Sequence, residues 1–188
     1  MIPGREEALR ILAEAETCNP GAWVGHCRNA AVCAEKVAAA VGLDPEKAYV
    51  LVLLHDIGRK FGQGHMMHVY YGWKYMNELG YDEVAKICLT HSFTHQDFDC
   101  FIGRWDIPVE AQQELRAALE AAVYDDYDRL AQLCDGLALS TGLIRLEDRM
   151  EDVRRRYGMY PQEKWDANLA LLEEFSRRAG RDIYDVVK

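Results

Sequence analysis

Apolar positions recur along this chain at helical spacing, and the breaks between them carry turn and cap residues. Glu6 to Ala15 reads as a short amphipathic helix, which Thr17-Cys18-Asn19-Pro20-Gly21 breaks. A second helix is predicted from Trp23 to Val41, stopped by Gly42, a residue suited to the left-handed backbone of a helix end. Asp44-Pro45 restarts the chain, with Asp as N-cap and Pro at the first helical position. That third helix runs into the unbroken apolar stretch Tyr49 to Leu54 and carries His55-Asp56 at its far end. Gly58 to Gly64 reads as a loop. Further helices are predicted from Met67 to Leu79, from a cap at Asp82 to His91, from Pro108 to Val123, and from Asp125 to Leu139. Ser92 to Asp106 is less regular. Past an interruption at Thr141-Gly142, two more helices span Leu146 to Tyr157 and Pro161 to Ala179. Alternating β-branched runs and Asn-Gly turns are absent, so the expected class is all-α.

The polar residues that interrupt the apolar stripes carry the chemistry. A histidine and a carboxylate at the inner end of a buried run are costly without a partner. His26 shares a helical face with Ala30, Cys33, Val37 and Ala40. His55 lines up with Ala48, Leu51 and Val52, and His91 with Val84, Ile87 and Cys88. His68 shares a face with Tyr71, Gly72, Tyr75 and Leu79. Asp135 follows the run Leu130 to Cys134 and lines up with Ala131 and Ala138. A single inward histidine is usually a satisfied core residue. Several, on separate helices, make a shared cluster of buried polar groups that need partners. A divalent metal satisfies imidazole and carboxylate together. Nitrogen and oxygen ligands without thiolate admit Fe, Mn, Ni, Co, Zn or Mg.

Composition narrows the setting. At 188 residues and 49% hydrophobic, the chain is long enough for one domain with a substantial core. No apolar run reaches bilayer length. Met1 to Glu7 lacks the basic start and apolar centre of a signal peptide, so a cytoplasmic location is expected. The net charge is −9, which argues against long nucleic acid as a partner. A small phosphorylated substrate stays open, because a metal supplies local positive charge. The six cysteines, at 18, 27, 33, 88, 100 and 134, form no C-x-x-C and read as reduced thiols, most of them buried. The Arg154-Arg155-Arg156 run reads as a solvated helix face, and Trp165, Leu169, Leu172 and Phe175 as a packing stripe.

His26, then His55-Asp56 in His-Asp-Ile-Gly-Arg, then Asp135 resemble the H…HD…D signature of the HD superfamily of metal-dependent phosphohydrolases. The resemblance covers about Trp23 to Leu139. It implies an HD-domain helical bundle over residues 1–188, with its core at about 23–139 and a C-terminal helical extension at 145–188. It also implies that His26, His55, Asp56 and Asp135 bind one divalent metal. A subset of the superfamily adds two histidines that bind a second metal, with the HD aspartate as bridge. His68, followed by Gly72 in H-x-x-x-G, and His91 are similar to that pair. Two metals are therefore expected. The arrangement is similar to that of bacterial dinucleoside-tetraphosphate hydrolases and of mixed-valent di-iron oxygenases.

The activity so implied is hydrolysis of a small phosphate ester, a nucleotide above all, by a metal-bound hydroxide that Asp56 orients. Arg59 stands where related enzymes often carry a cation facing the phosphate. Its other reading, shared with Lys60, is a cation at a helix C-terminus. His95, Lys74 and Arg104 are further candidate substrate contacts, and His65 is expected at a pocket rim. Two alternatives stand beside hydrolysis. One is an oxygenase, although Glu14 to Trp23 lacks the tyrosine of the lid in phosphonate-oxidising relatives. The other is a non-catalytic nucleotide sensor. Residues 145–188 are expected to pack on the core or on a second copy of the chain.

Overall fold

The computed structural model describes residues 1–188. Ten α-helices account for nearly all of the regular structure: α1 (Arg5–Cys18), α2 (Trp23–Val41), α3 (Pro45–Leu53), α4 (Met66–Glu78), α5 (Asp82–Thr90), α6 (Val109–Ala121), α7 (Asp126–Leu137), α8 (Leu146–Tyr157), α9 (Gln162–Ala179) and α10 (Ile183–Val186). The fold is all-α. Its local signals act as expected at several boundaries. Gly42 closes α2 in the left-handed region at φ 77°, where a side chain would be strained. The Asp44 carboxylate accepts from Glu46 N at 2.9 Å and Lys47 N at 3.1 Å, and Pro45 opens α3. Asp125 caps α7 in a reciprocal box with Asp128.

Several boundaries differ from expectation; α1, for one, runs through Thr17 to Cys18, which were expected to break it. The third helix stops at Leu53, two residues before the His-Asp pair. Leu54, at φ −106° and ψ 6°, leaves the helix, and a 3₁₀ turn follows at Ile57–Phe61. His55 and Asp56 are thus freed from the fixed rotation between neighbours on one helix. The fifth helix begins rather than caps at Asp82, with Tyr81 as its N-cap, and it ends at Thr90, so that His91 is the C-cap. The expected seventh helix ends early because Ala138 and Leu139 extend and pair antiparallel with Leu143 and Gly142. Gly142 permits that tight return at φ 143°.

The main hydrophobic core is built by α1, α2, α3, α5 and α7, with α8, α9 and α10 closing it through Leu146, Met150, Leu171, Phe175 and Ile183. A smaller core joins α4, α5, the segment 93–107 and α6 through Met66, Val69, Phe93, Phe98, Ile107, Leu115 and Leu119. The His-Asp turn lies where these bodies meet. It packs on α4 at unusually short range: a β-carbon at Gly58 would lie 1.9 Å from the His68 carbonyl oxygen and 2.5 Å from Gly72 N. Gly58 and Gly72 therefore allow two backbones to touch, and that contact fixes where α4 presents His68. No helix is long and apolar enough to cross a membrane.

Candidate metal centre

Two groups of donors form around the turn after α3. In the first, His26 Nε2 lies 2.9 Å from Asp135 Oδ1 and 3.2 Å from His55 Nε2, while His55 Nε2 lies 3.6 Å from the same carboxylate oxygen. In the second, His68 Nε2 lies 3.1 Å from Asp56 Oδ1 and 3.3 Å from His91 Nε2, with His91 Nε2 3.6 Å from Asp56 Oδ1. The groups adjoin, since His55 and His91 pack edge to face with ring centroids 5.0 Å apart. The first group opens toward solvent through Asp135. The second is buried, at 4% exposure for Asp56, 5% for His68 and 3% for His91.

Backbone carbonyls orient three of the four rings. His26 Nδ1 donates to Ala138 O at 3.1 Å, and His55 Nδ1 to Val52 O at 2.6 Å. His91 Nδ1 donates to Cys88 O at 2.9 Å and Ile87 O at 3.1 Å. A carbonyl only accepts, so Nδ1 carries a proton in each of the three and Nε2 points inward. In the first group the two Nε2 atoms and a carboxylate oxygen then face one another within 3.6 Å. These atoms can converge only with a cation among them, either a proton on nitrogen or a metal ion. Nδ1 bonded to a carbonyl with Nε2 free is also the usual setting of a metal-bound histidine. The donor chemistry therefore fits a divalent ion. His68 is held less firmly, since its Nδ1 is buried without a partner.

The carboxylates are ionised. Burial opposes charge on Asp56, but the Arg59 guanidinium outweighs it and holds the carboxyl well below the ordinary range. Burial likewise opposes charge on Asp135, and hydrogen bonds from His26 and His55 overcome it. Burial and the Arg59 charge pull His68 down to about 3, so its ring is neutral. Cys27 also lies beside His55 and Asp56, but burial pushes its thiol up and keeps it protonated.

The six expected ligands, His26, His55, Asp56, His68, His91 and Asp135, thus fall into these two groups. Arg59 donates from Nε to Asp56 Oδ2 at 2.5 Å. That bond takes the second carboxylate oxygen and commits the guanidinium to the aspartate. The remaining candidates separate. A cavity of about 630 Å³ opens over the ligands and is lined by Arg59 and His65, among others, but not by Lys74, Arg104 or His95. Lys74 pairs with Glu114 at 2.8 Å on the outer face of α4. Arg104 instead uses its backbone, donating from N to His65 Nδ1 at 3.1 Å. His95 is exposed on the segment that follows the end of α5.

Sequence reading missed the opposite wall. Arg149, Tyr160, Lys164 and Asn168, from α8, α9 and the turn between them, line the same cavity. Gln132 lines it too, one helical turn before Asp135. Its Nε2 donates to Thr90 O at 3.0 Å, tying α7 to the end of α5 beside His91.

A family model described as the HD domain matches residues 23–139. No curated protein and no solved structure gave a significant match to the chain. The match spans well over half of the sequence and takes in all six donors, and the chain belongs to the HD-domain family.

Proposed function

We propose that this chain is a metal-dependent phosphohydrolase acting on a small phosphate ester, with a nucleotide the best-fitting class. The observation that carries the reading is the pair of adjoining donor groups, His26, His55 and Asp135 beside Asp56, His68 and His91, at the floor of one cavity. HD domains bind divalent metals, and the family consists largely of metal-dependent phosphohydrolases. Ions held there supply Lewis acidity toward phosphoryl oxygens and lower the pKa of water toward neutrality.

The protein's own groups have distinct tasks in this reading. Backbone carbonyls of Val52, Cys88 and Ala138 keep the imidazoles turned inward. Arg59 holds Asp56 ionised and fixes its orientation. Asp135, the more exposed of the two carboxylates, faces the cavity beside His26. The cavity volume lies within the usual range for small-molecule sites, and Trp23, Tyr157 and Tyr160 give it aromatic faces on which a base can rest.

The test is an anaerobic assay. The purified protein, loaded with manganese or iron(II), is given a panel of nucleotides and simple phosphate esters, and inorganic phosphate is measured. Release without oxygen is the expected result. Substrate-dependent oxygen uptake in place of phosphate release would overturn the reading in favour of an oxygenase.

A further inference from the structure

The cations lining the cavity differ in what they are already doing. Arg59 is bound to Asp56, and Arg156 pairs with Asp152 at 2.9 Å on the surface of α8. Lys164 and Arg149 have no carboxylate within ion-pairing distance. Lys164 is half-buried, and its Nζ donates one hydrogen bond, to Ser92 O at 2.7 Å. Ser92 directly follows the ligand candidate His91, and both line the cavity together with Lys164. An ammonium has three protons, and no protein acceptor meets the other two, while Lys164 lines the cavity. A cation withdrawn from water without an anion is unfavourable, and a bound anion removes that cost.

The surroundings hold Lys164 in place. Asn168, one turn on, is buried; its Nδ2 donates to Tyr160 OH at 2.8 Å and to Lys164 O at 2.9 Å. Thr94 Oγ1 donates to Asn168 Oδ1 at 3.1 Å. The segment 92–94 and α9 are therefore stitched together at two points, and Lys164 is one of them.

We propose that Lys164, seconded by Arg149, is the recognition point for the dianionic phosphate of a monoester substrate, an inference that rests on the hydrolase reading above. Two uncommitted positive charges match a monoester better than a singly charged diester. The anion so held lies between the donor groups on the cavity floor and the wall formed by α8 and α9, which lies outside the matched residues 23–139. Burial lowers the Lys164 pKa to about 8, against the attraction of Asp135 and Cys100, so the amine is still mostly protonated near neutral pH.

The test is a calorimetric titration of the manganese-loaded protein with inorganic phosphate, beside a metal determination on each variant. Lys164→Met should weaken phosphate binding at least tenfold and Arg149→Met by a few-fold. Lys164→Arg should recover most of the loss, and all three should keep the wild-type metal content. Turnover should show the same selectivity, with Lys164→Met eroding a preference for p-nitrophenyl phosphate over its bis-ester. Phosphate affinity unchanged in Lys164→Met would overturn the inference. Should that variant not fold, acetic anhydride labelling of the wild-type protein decides: bound phosphate should protect Lys164 from acylation, and equal labelling with and without phosphate would overturn it. Asp56→Ala separates the two levels. If it loses turnover while Lys164→Met keeps phosphate affinity, the Lys164 inference alone falls; if it keeps turnover, the hydrolase reading falls.

Discussion

Asp56 is the most constrained single residue in the molecule. One carboxylate oxygen meets two imidazole nitrogens and the other meets Arg59. Asp56→Ala is expected to abolish activity and lower metal content together, as measured by assay and elemental analysis on the same sample. Arg59→Ala should act differently. The Asp56 carboxylate stays but loses its orientation, so metal affinity should fall by about 10- to 100-fold, the usual penalty for removing an outer partner of a ligand. Lys164 offers a pH signature. Its protonated form binds the anion, so phosphate affinity should decline as pH rises through about 8. The Lys164→Arg protein, whose guanidinium stays charged, should show a smaller decline over the same range. The groups facing Lys164 are Asp135 from α7 and Cys100 from the segment before α6. Comparing the two proteins cancels the titration of phosphate itself.

Among the elements, the turn after α3 decides most. Gly58 touches the backbone of α4 closely enough that any β-carbon must push the two apart. Gly58→Ala should destabilise the fold by about 3 kcal/mol, at the upper end for an overpacked site. It should also displace His68, so metal binding should weaken more than stability alone accounts for; urea denaturation beside a metal titration checks both. Asp44→Ala tests a cap far from the donors. It should cost about 1 kcal/mol and leave metal affinity unchanged. The Asp44 cap was legible in the sequence because cap chemistry is local, whereas Gly58 read only as the start of a loop, since its contact with α4 is tertiary. The six donors were legible as well, since inward histidines on separate apolar faces stand out against their stripes. The helix ends near His55 and His91 were not, because tertiary contacts rather than propensity set where α3 and α5 stop. Lys164, Tyr160 and Asn168 escaped notice because a lysine or asparagine on an amphipathic helix looks like ordinary solvated surface. Only the packing of α9 over the segment 92–94 shows otherwise.

At the scale of the molecule, metal and fold should be linked. Buried imidazoles and carboxylates gathered this closely are stabilised by a cation among them. Removing metal with a chelator should lower the thermal midpoint. Restoring an ion at about a hundred times its dissociation constant should return about 2.7 kcal/mol per site. A midpoint indifferent to metal would show that the donors do not share an ion.

The cavity has a floor and a far wall from different stretches of chain. The floor comes from residues between His26 and Asp135, the wall from α8 and α9. Leu146, Met150, Leu171 and Phe175 root that wall in the main core, so it cannot be cut away without unfolding what lies beneath. It can be exchanged. Any pair of helices keeping those four anchors would leave the reactive groups where they are and present a different rim, so that one chemical engine could be refitted to new substrates by rewriting the last quarter of the chain.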